Sequence, residues 1–127
     1  MAKIKESSTQ QSNKRQATLE CPVSYVINKI GGRWKPLIIY HLLAGPRRYN
    51  ELKKAIPPIT EKMLIQHLKE LETDKLITRE AKQVVPPVVV YSLTVSGKAL
   101  MPVIQAMGKW AALESNATPV DTYGLFS

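Results

Sequence analysis

The stretch Ile59-Thr60-Glu61-Lys62-Met63-Leu64-Ile65-Gln66-His67-Leu68-Lys69-Glu70-Leu71-Glu72-Thr73 decides the fold. Leu64, Leu68 and Leu71 stand at i, i+4 and i+7, so at about 100° per residue they make a narrow apolar stripe along one face of a helix. Thr60 supplies the hydroxyl of an N-cap. The opposite face carries Lys62, Gln66, Lys69 and Thr73, with Ile65 at its margin and Met63 and His67 toward the flanks. A helix that is apolar inward and cationic and hydrogen-bonding outward suits a nucleic-acid groove.

Three helices are expected upstream. The first runs over residues 22–30, with Pro22 at the first helical position, Val23, Val26, Ile27 and Ile30 on one face, and Gly31-Gly32 as its stop. The second, over 36–43, is apolar nearly all round and therefore buried. A short third, marked by Tyr49, Leu52 and Ile56, ends at Pro57-Pro58. Helices three and four, joined by that proline-rich turn, form a helix-turn-helix.

Downstream the period changes. Residues 76–80 read as a strand, Ala81, Lys82 and Gln83 as a turn, and the valine-rich stretch 84–94 as a second strand. Pro86-Pro87 interrupts it and belongs at an edge or in the loop of the hairpin, because proline donates nothing to a ladder. A last helical region over 95–114 carries an apolar face of Leu100, Val103, Ile104, Met107, Trp110 and Ala111, and Pro102 should kink or divide it. The fold class is mainly α with a small β-hairpin, a winged helix-turn-helix.

The chain has 127 residues and a net charge of +8, with 44% hydrophobic and 22% charged residues, which fits one globular domain. No apolar run approaches the roughly 20 residues of a spanning helix. Residues 1–18 lack periodicity and read as a mobile basic arm. Residues 19–114 are expected to form the folded domain. The tail 115–127 is loose unless Tyr123, Leu125 and Phe126 dock. Eight basic residues and two acidic ones lie between Arg33 and Lys69. Such an excess favours polyanions, nucleic acid before acidic membranes. The polar N-terminus lacks a signal-peptide core, so a cytoplasmic location is expected. One cysteine, Cys21, excludes a disulfide framework and any multi-cysteine zinc site. His41 and His67 have no suitably spaced metal partner. No phosphate-binding glycine loop and no nucleophile with its base are present. No cofactor, metal or enzymatic role is expected. The runner-up is a winged-helix protein-interaction module, which weak salt dependence would reveal.

The chain resembles the HxlR-type winged-helix regulators. The similar motifs are Cys21-Pro22-Val23, Gly31-Gly32-Arg33-Trp34-Lys35-Pro36-Leu37-Ile38-Ile39, Gly45-Pro46-Arg47-Arg48-Tyr49-Asn50-Glu51-Leu52, Ile59-Thr60-Glu61-Lys62-Met63-Leu64, Leu68-Lys69-Glu70-Leu71-Glu72, Pro86-Pro87, and Tyr91-Ser92-Leu93-Thr94 with Gly97. The resemblance spans residues 21–110 and implies a bacterial or archaeal transcription regulator, usually a homodimer, distantly MarR-like. By position it places Thr60, Lys62, Met63, Gln66 and His67 on the DNA side of the recognition helix. Gln66 suits adenine, Lys62 guanine or phosphate, and Arg47 and Arg48 are candidate phosphate clamps; Lys69 shares the outward face. Pairing is expected through the first helix and the last, by Val23, Val26, Leu100, Ile104, Met107 and Trp110. Several members of the resembling family sense oxidants or electrophiles through a cysteine at the position of Cys21, so the resemblance implies a candidate switch there. A helix N-terminus, with Lys29 or Arg33 nearby, would favour its thiolate; the plainer reading is a small residue packing a dimer interface. Two departures stand out. Val88-Val89-Val90 replaces the family's basic residue and acid before the tyrosine, leaving Lys82 or apolar sugar contacts for the wing. Lys75 stands where glycine is common.

Overall fold

A computed structural model describes residues 21–118 and 120–126, and the arm expected over 1–18 lies outside them. Helix α1 (Pro22–Ile30) is capped by Cys21, whose Sγ accepts the Ser24 N–H at 3.4 Å. Helix α2 (Trp34–Leu43) starts before Pro36; a proline is tolerated there because first-turn N–H groups have no intrahelical partner. Ile38, Ile39 and Leu42 are buried and Tyr40 and Leu43 pack against the core, but Leu37 is 37% exposed, so the helix is not buried all round as expected. Arg47–Arg48 form a two-residue strand, β1, leading straight into α3 (Tyr49–Ala55). The Glu51 carboxylate accepts the Arg48 N–H at 2.7 Å and closes the start of α3. In α4 (Glu61–Thr73), Thr60 Oγ1 accepts the Met63 N–H at 3.1 Å, and Leu64, Leu68 and Leu71 are buried.

Helix α4 ends in a Schellman turn. The Leu76 N–H reaches back to Leu71 O and the Lys75 N–H to Glu72 O, each at 3.0 Å, with Lys75 left-handed at φ 62°. That is the conformation glycine adopts at no steric cost, which accounts for the glycine of the resembling family. Strands β2 (Ile77–Lys82) and β3 (Val88–Leu93) then pair antiparallel, with Ile77 opposite Leu93, Arg79 opposite Tyr91 and Lys82 opposite Val88. Ala81 and Lys82, expected in the turn, extend the ladder instead. The loop is 83–87, and it takes both prolines where no ladder donor is needed. β1 pairs with the other edge of β3, Arg47 opposite Tyr91, so the wing is a three-stranded sheet of order β1-β3-β2 and not a bare hairpin.

Pro102 divides the last helical region into α5 (Val95–Lys98) and α6 (Met101–Ser115). Thr94 caps α5 by accepting the Gly97 N–H at 3.0 Å and donates its hydroxyl to Lys75 O at 2.8 Å, tying the wing's exit to its entrance. Residues 121–126, expected to be loose unless they dock, pack back on the domain. Asp121 accepts the N–H groups of Leu125 and Phe126 at 2.7 and 3.2 Å. Gln105 on α6 donates to Leu125 O at 3.0 Å. Phe126 covers Gly108 so closely that a Cβ there would strike the ring, and its other side stacks on Tyr40 with centroids 5.6 Å apart. The folded unit thus continues past residue 114.

Candidate nucleic-acid interface

Helix α4 lies with Leu64, Leu68 and Leu71 in the core and Lys62, Gln66, Lys69 and Thr73 exposed. Thr60, also exposed, accepts the Met63 N–H as the cap and keeps its own O–H as a donor. Met63 and His67, placed among the DNA-facing residues by position, turn instead to the flank against α2: Met63 packs on the core and His67 is half-buried. Lys35 of α2 closes this flank. Its ammonium, on a side chain only 11% exposed, meets Glu70 at 2.7 Å, and His67 Nδ1 stands 3.5 Å from the same carboxylate. Gln66 donates to the other Glu70 oxygen at 3.3 Å. Hydrogen bonding by Lys35 and then Gln66, with the Lys35 charge, lowers the Glu70 pKa to about 2. Lys35 is therefore consumed inside the domain and leaves the outward basic set, while Gln66 is held by one N–H and among the described residues its oxygen has no partner.

The other flank is open. Between α4 and the wing lies a cavity of about 850 Å³, with Ile65, Lys69 and Glu72 along the helix side and Arg79, Tyr91 and Val89 along the sheet side. Arg48 and Tyr49 close one end, and Pro86, Pro87 and Val88 the tip. Three cations, Arg48, Lys69 and Arg79, face one acid, Glu72, across a mostly apolar floor. Among the described residues the Tyr49 hydroxyl has no hydrogen-bond partner; burial first, then Glu61 and Tyr91, raise its pKa. The groove can hold a sugar–phosphate chain, with phosphates on the cations and sugars against Ile65 and the Pro-Val tip.

Arg47 and Arg48 are not equivalent. Adjacent strand residues face opposite ways: Arg48 is exposed at the groove, whereas Arg47 is half-buried, donating Nε–H to His41 O at 3.3 Å with its guanidinium 5.1 Å from the Tyr123 ring centre. His41, expected as a packing residue, shares a 2.7 Å hydrogen bond with the Tyr123 hydroxyl. Burial, then the Arg47 charge, lowers its pKa and favours the neutral ring. Lys82 is exposed at the end of β2.

Cys21 is exposed. Its thiol pKa is lowered by the Ser24 N–H, then the Ser24 hydroxyl, with a smaller part from the Val23 N–H, against a small desolvation cost. Lys29 and Arg33 are occupied elsewhere, Lys29 with Asp74 at 3.5 Å and Arg33 on the Trp34 ring at 4.5 Å. The helix cap, not those cations, favours the thiolate.

These elements match known proteins. A family model described as HxlR-like helix-turn-helix matches residues 29–118. The chain belongs to this family. The transcriptional regulator YybR of Bacillus subtilis is 42% identical over 103 residues, 81% of each chain. The solved structure of the redox regulator HypR in its oxidised form has a TM-score of 0.70 at 42% identity, covering 78% of this chain and all of that one. Reduced YodB of B. subtilis has a TM-score of 0.66 at 40% identity, covering 74% of this chain and 93% of that one. The protein is an HxlR-like transcriptional regulator with a winged helix-turn-helix DNA-binding domain.

In this HxlR-like domain the residues expected to pair two copies divide. Val23, Met107 and Trp110 are exposed, at 66%, 48% and 66%. Val26 and Leu100 are half-buried against the core. Ile104 is buried at 4% in the chain's own core and presents no outer surface. The structure also adds a site residue, Arg79, that the sequence reading passed over. The signal was available: Arg79 follows Ile77 at a spacing of two, so once Ile77 faces α4, Arg79 does too.

Proposed function

We propose that this regulator binds a pseudo-palindromic double-stranded DNA operator as a homodimer. Each α4 enters a major groove, with half-sites about 34–36 Å apart. The observation that carries this reading is the exposed face of α4, Lys62, Gln66 and Lys69, beside a groove carrying Arg48 and Arg79. Gln66 reads a base edge, and Lys62 reads guanine or binds phosphate. Arg48, Lys69 and Arg79 hold the backbone, and Lys82 lies at the end of the wing strand. The exposed Val23 and Ile27 on α1 and Met107 and Trp110 on α6 supply the apolar surface for pairing. Among the described residues no helix is long and apolar enough to cross a membrane, and the function places the protein with DNA in the cytoplasm.

Cys21 is the proposed switch, supported by its exposure, its lowered pKa and the likeness to HypR. Two thiols, from two copies or from Cys21 and a small thiol, give two electrons and two protons to an oxidant and form one disulfide. Fluorescence anisotropy with DNA from upstream of the protein's own gene, against random DNA at two salt concentrations, tests both parts. Specific, salt-sensitive binding is expected, lost with diamide, restored by dithiothreitol and insensitive to diamide in Cys21→Ser. Binding indifferent to diamide removes the switch. Absence of salt-dependent binding removes the DNA reading and favours a protein-interaction module.

A further inference from the structure

We propose that residues 121–126 form a latch that aims Arg47 at a DNA phosphate, with Tyr123 as the positioning residue. The inference rests on the DNA-binding reading above and names a part of the chain beyond the residues 29–118 that the family model matches. The latch is built in two steps. Asp121, Gln105 and the Phe126–Gly108 contact fix the segment onto α6. Tyr40 then receives both of its rings, Phe126 stacked at 5.6 Å and Tyr123 tilted at 5.3 Å.

Tyr123 is thereby held under Arg47, its hydroxyl anchored to His41 at 2.7 Å and its ring 5.1 Å from the guanidinium carbon. This arrangement orients the cation without using it up. Aromatic stacking occupies the face of a guanidinium and leaves its N–H edges free. Among the described residues the Arg47 N–H given to the protein is Nε, to His41 O. The two terminal nitrogens have no hydrogen-bond partner there and suit a phosphate, in the forked geometry that makes arginine a strong phosphate ligand. An arginine already stripped of rotamer freedom loses less entropy when the phosphate arrives. Arg47 precedes Arg48 on β1 but faces the other way, so the latch offers it to a phosphate beside the groove that Arg48 lines and not within it.

The test is a double-mutant cycle on a fluorescent random-sequence duplex, read by anisotropy over a salt series with the full chain. Arg47→Ala is expected to weaken binding and to flatten the log–log salt dependence by about 0.9, the share of one neutralised phosphate. Tyr123→Ala should reproduce most of that loss of affinity, and the double variant should bind no more weakly than Arg47→Ala alone. Tyr123→Phe keeps the ring and should keep most of the affinity, which separates positioning from general loosening. Thermal melts of each variant report folding independently. The latch is refuted if Tyr123→Ala lowers the melting temperature but binds like wild type, if the two losses add, or if Tyr123→Ala binds more tightly, which would mean that the segment masks Arg47. If Arg47→Ala is silent while Arg48→Ala is not, the latch falls and the DNA reading stands; if the wild type shows no salt-dependent binding, both fall.

Discussion

The two flanks of α4 are finished in opposite ways. Toward α2, the helix is closed: Met63 packs on the core, Lys35 meets Glu70, and Gln66 is drawn into the same network. Toward the wing it is open, with Ile65 and Lys69 facing Arg79 and Tyr91 across unfilled volume. Closure on one side seats the helix against α2, and the open side presents Lys69 and Arg79 beside the apolar Ile65 and Val89. The exposed face between the flanks is thus presented at a fixed angle, which base recognition demands.

The stripe between the flanks carries the largest energy. Leu68→Ala should cost about 2–5 kcal/mol in a urea titration, because the cavity it leaves lies under both flanks. A cost near zero would mean that α4 is not seated as described. Gln66→Ala probes the join between the closed flank and the exposed face. It should lower discrimination by about 1–3 kcal/mol at one base position while leaving random-sequence affinity unchanged, whereas Arg48→Ala should weaken all sequences alike. Equal losses on both kinds of DNA in both variants would erase the division between reading and holding.

Smaller effects test the supports of each flank. Lys75 holds a left-handed turn between α4 and the wall of the open groove, so Lys75→Gly should raise stability by about 1 kcal/mol or somewhat less, the relieved strain being partly offset by glycine's greater chain entropy. On the closed flank, Glu70 has a folded pKa of about 2 against an ordinary 4.5. Its contribution is full above the ordinary value and is lost as pH falls through that value toward 2. Wild type should therefore lose stability relative to Glu70→Gln across that window, and by less in high salt, because the Glu70 side chain is 44% exposed. Parallel pH curves for the two proteins would remove Glu70 from the closed flank's support.

Periodicity made the helices legible. The leucine stripe and the Thr60 cap each announce a pattern that the structure repeats, and the apolar second helix does so except at Leu37, which stays exposed. Position-by-position likeness to the family also led to Lys75, and the left-handed turn supplies its physical meaning. The failures share a cause, since each depends on a contact distant in sequence. β1 is two residues long and has no period of its own; its partner across the sheet makes it a strand. Lys35 reads as a free surface charge until α4 brings Glu70 beside it. In α6, one apolar sequence pattern serves two surfaces. Ile104 and Gly108 are buried, while Met107 and Trp110 are exposed. Gly108 looks like a gap in that pattern because the ring that fills it comes from Phe126, beyond the end of the helix. The open groove was legible only in part: Arg48 and Lys69 were marked by charge, whereas Arg79 needed the sheet register.

The salt dependence of random-DNA affinity tests the open flank most directly, compared between wild type and the Arg48→Ala, Lys69→Ala, Arg79→Ala triple variant with matched melting curves. A backbone seated in the groove predicts a log–log slope shallower by about 0.9 for each cation that contacts a phosphate. A folded triple variant with the wild-type slope would show that the groove beside α4 is not where DNA lies.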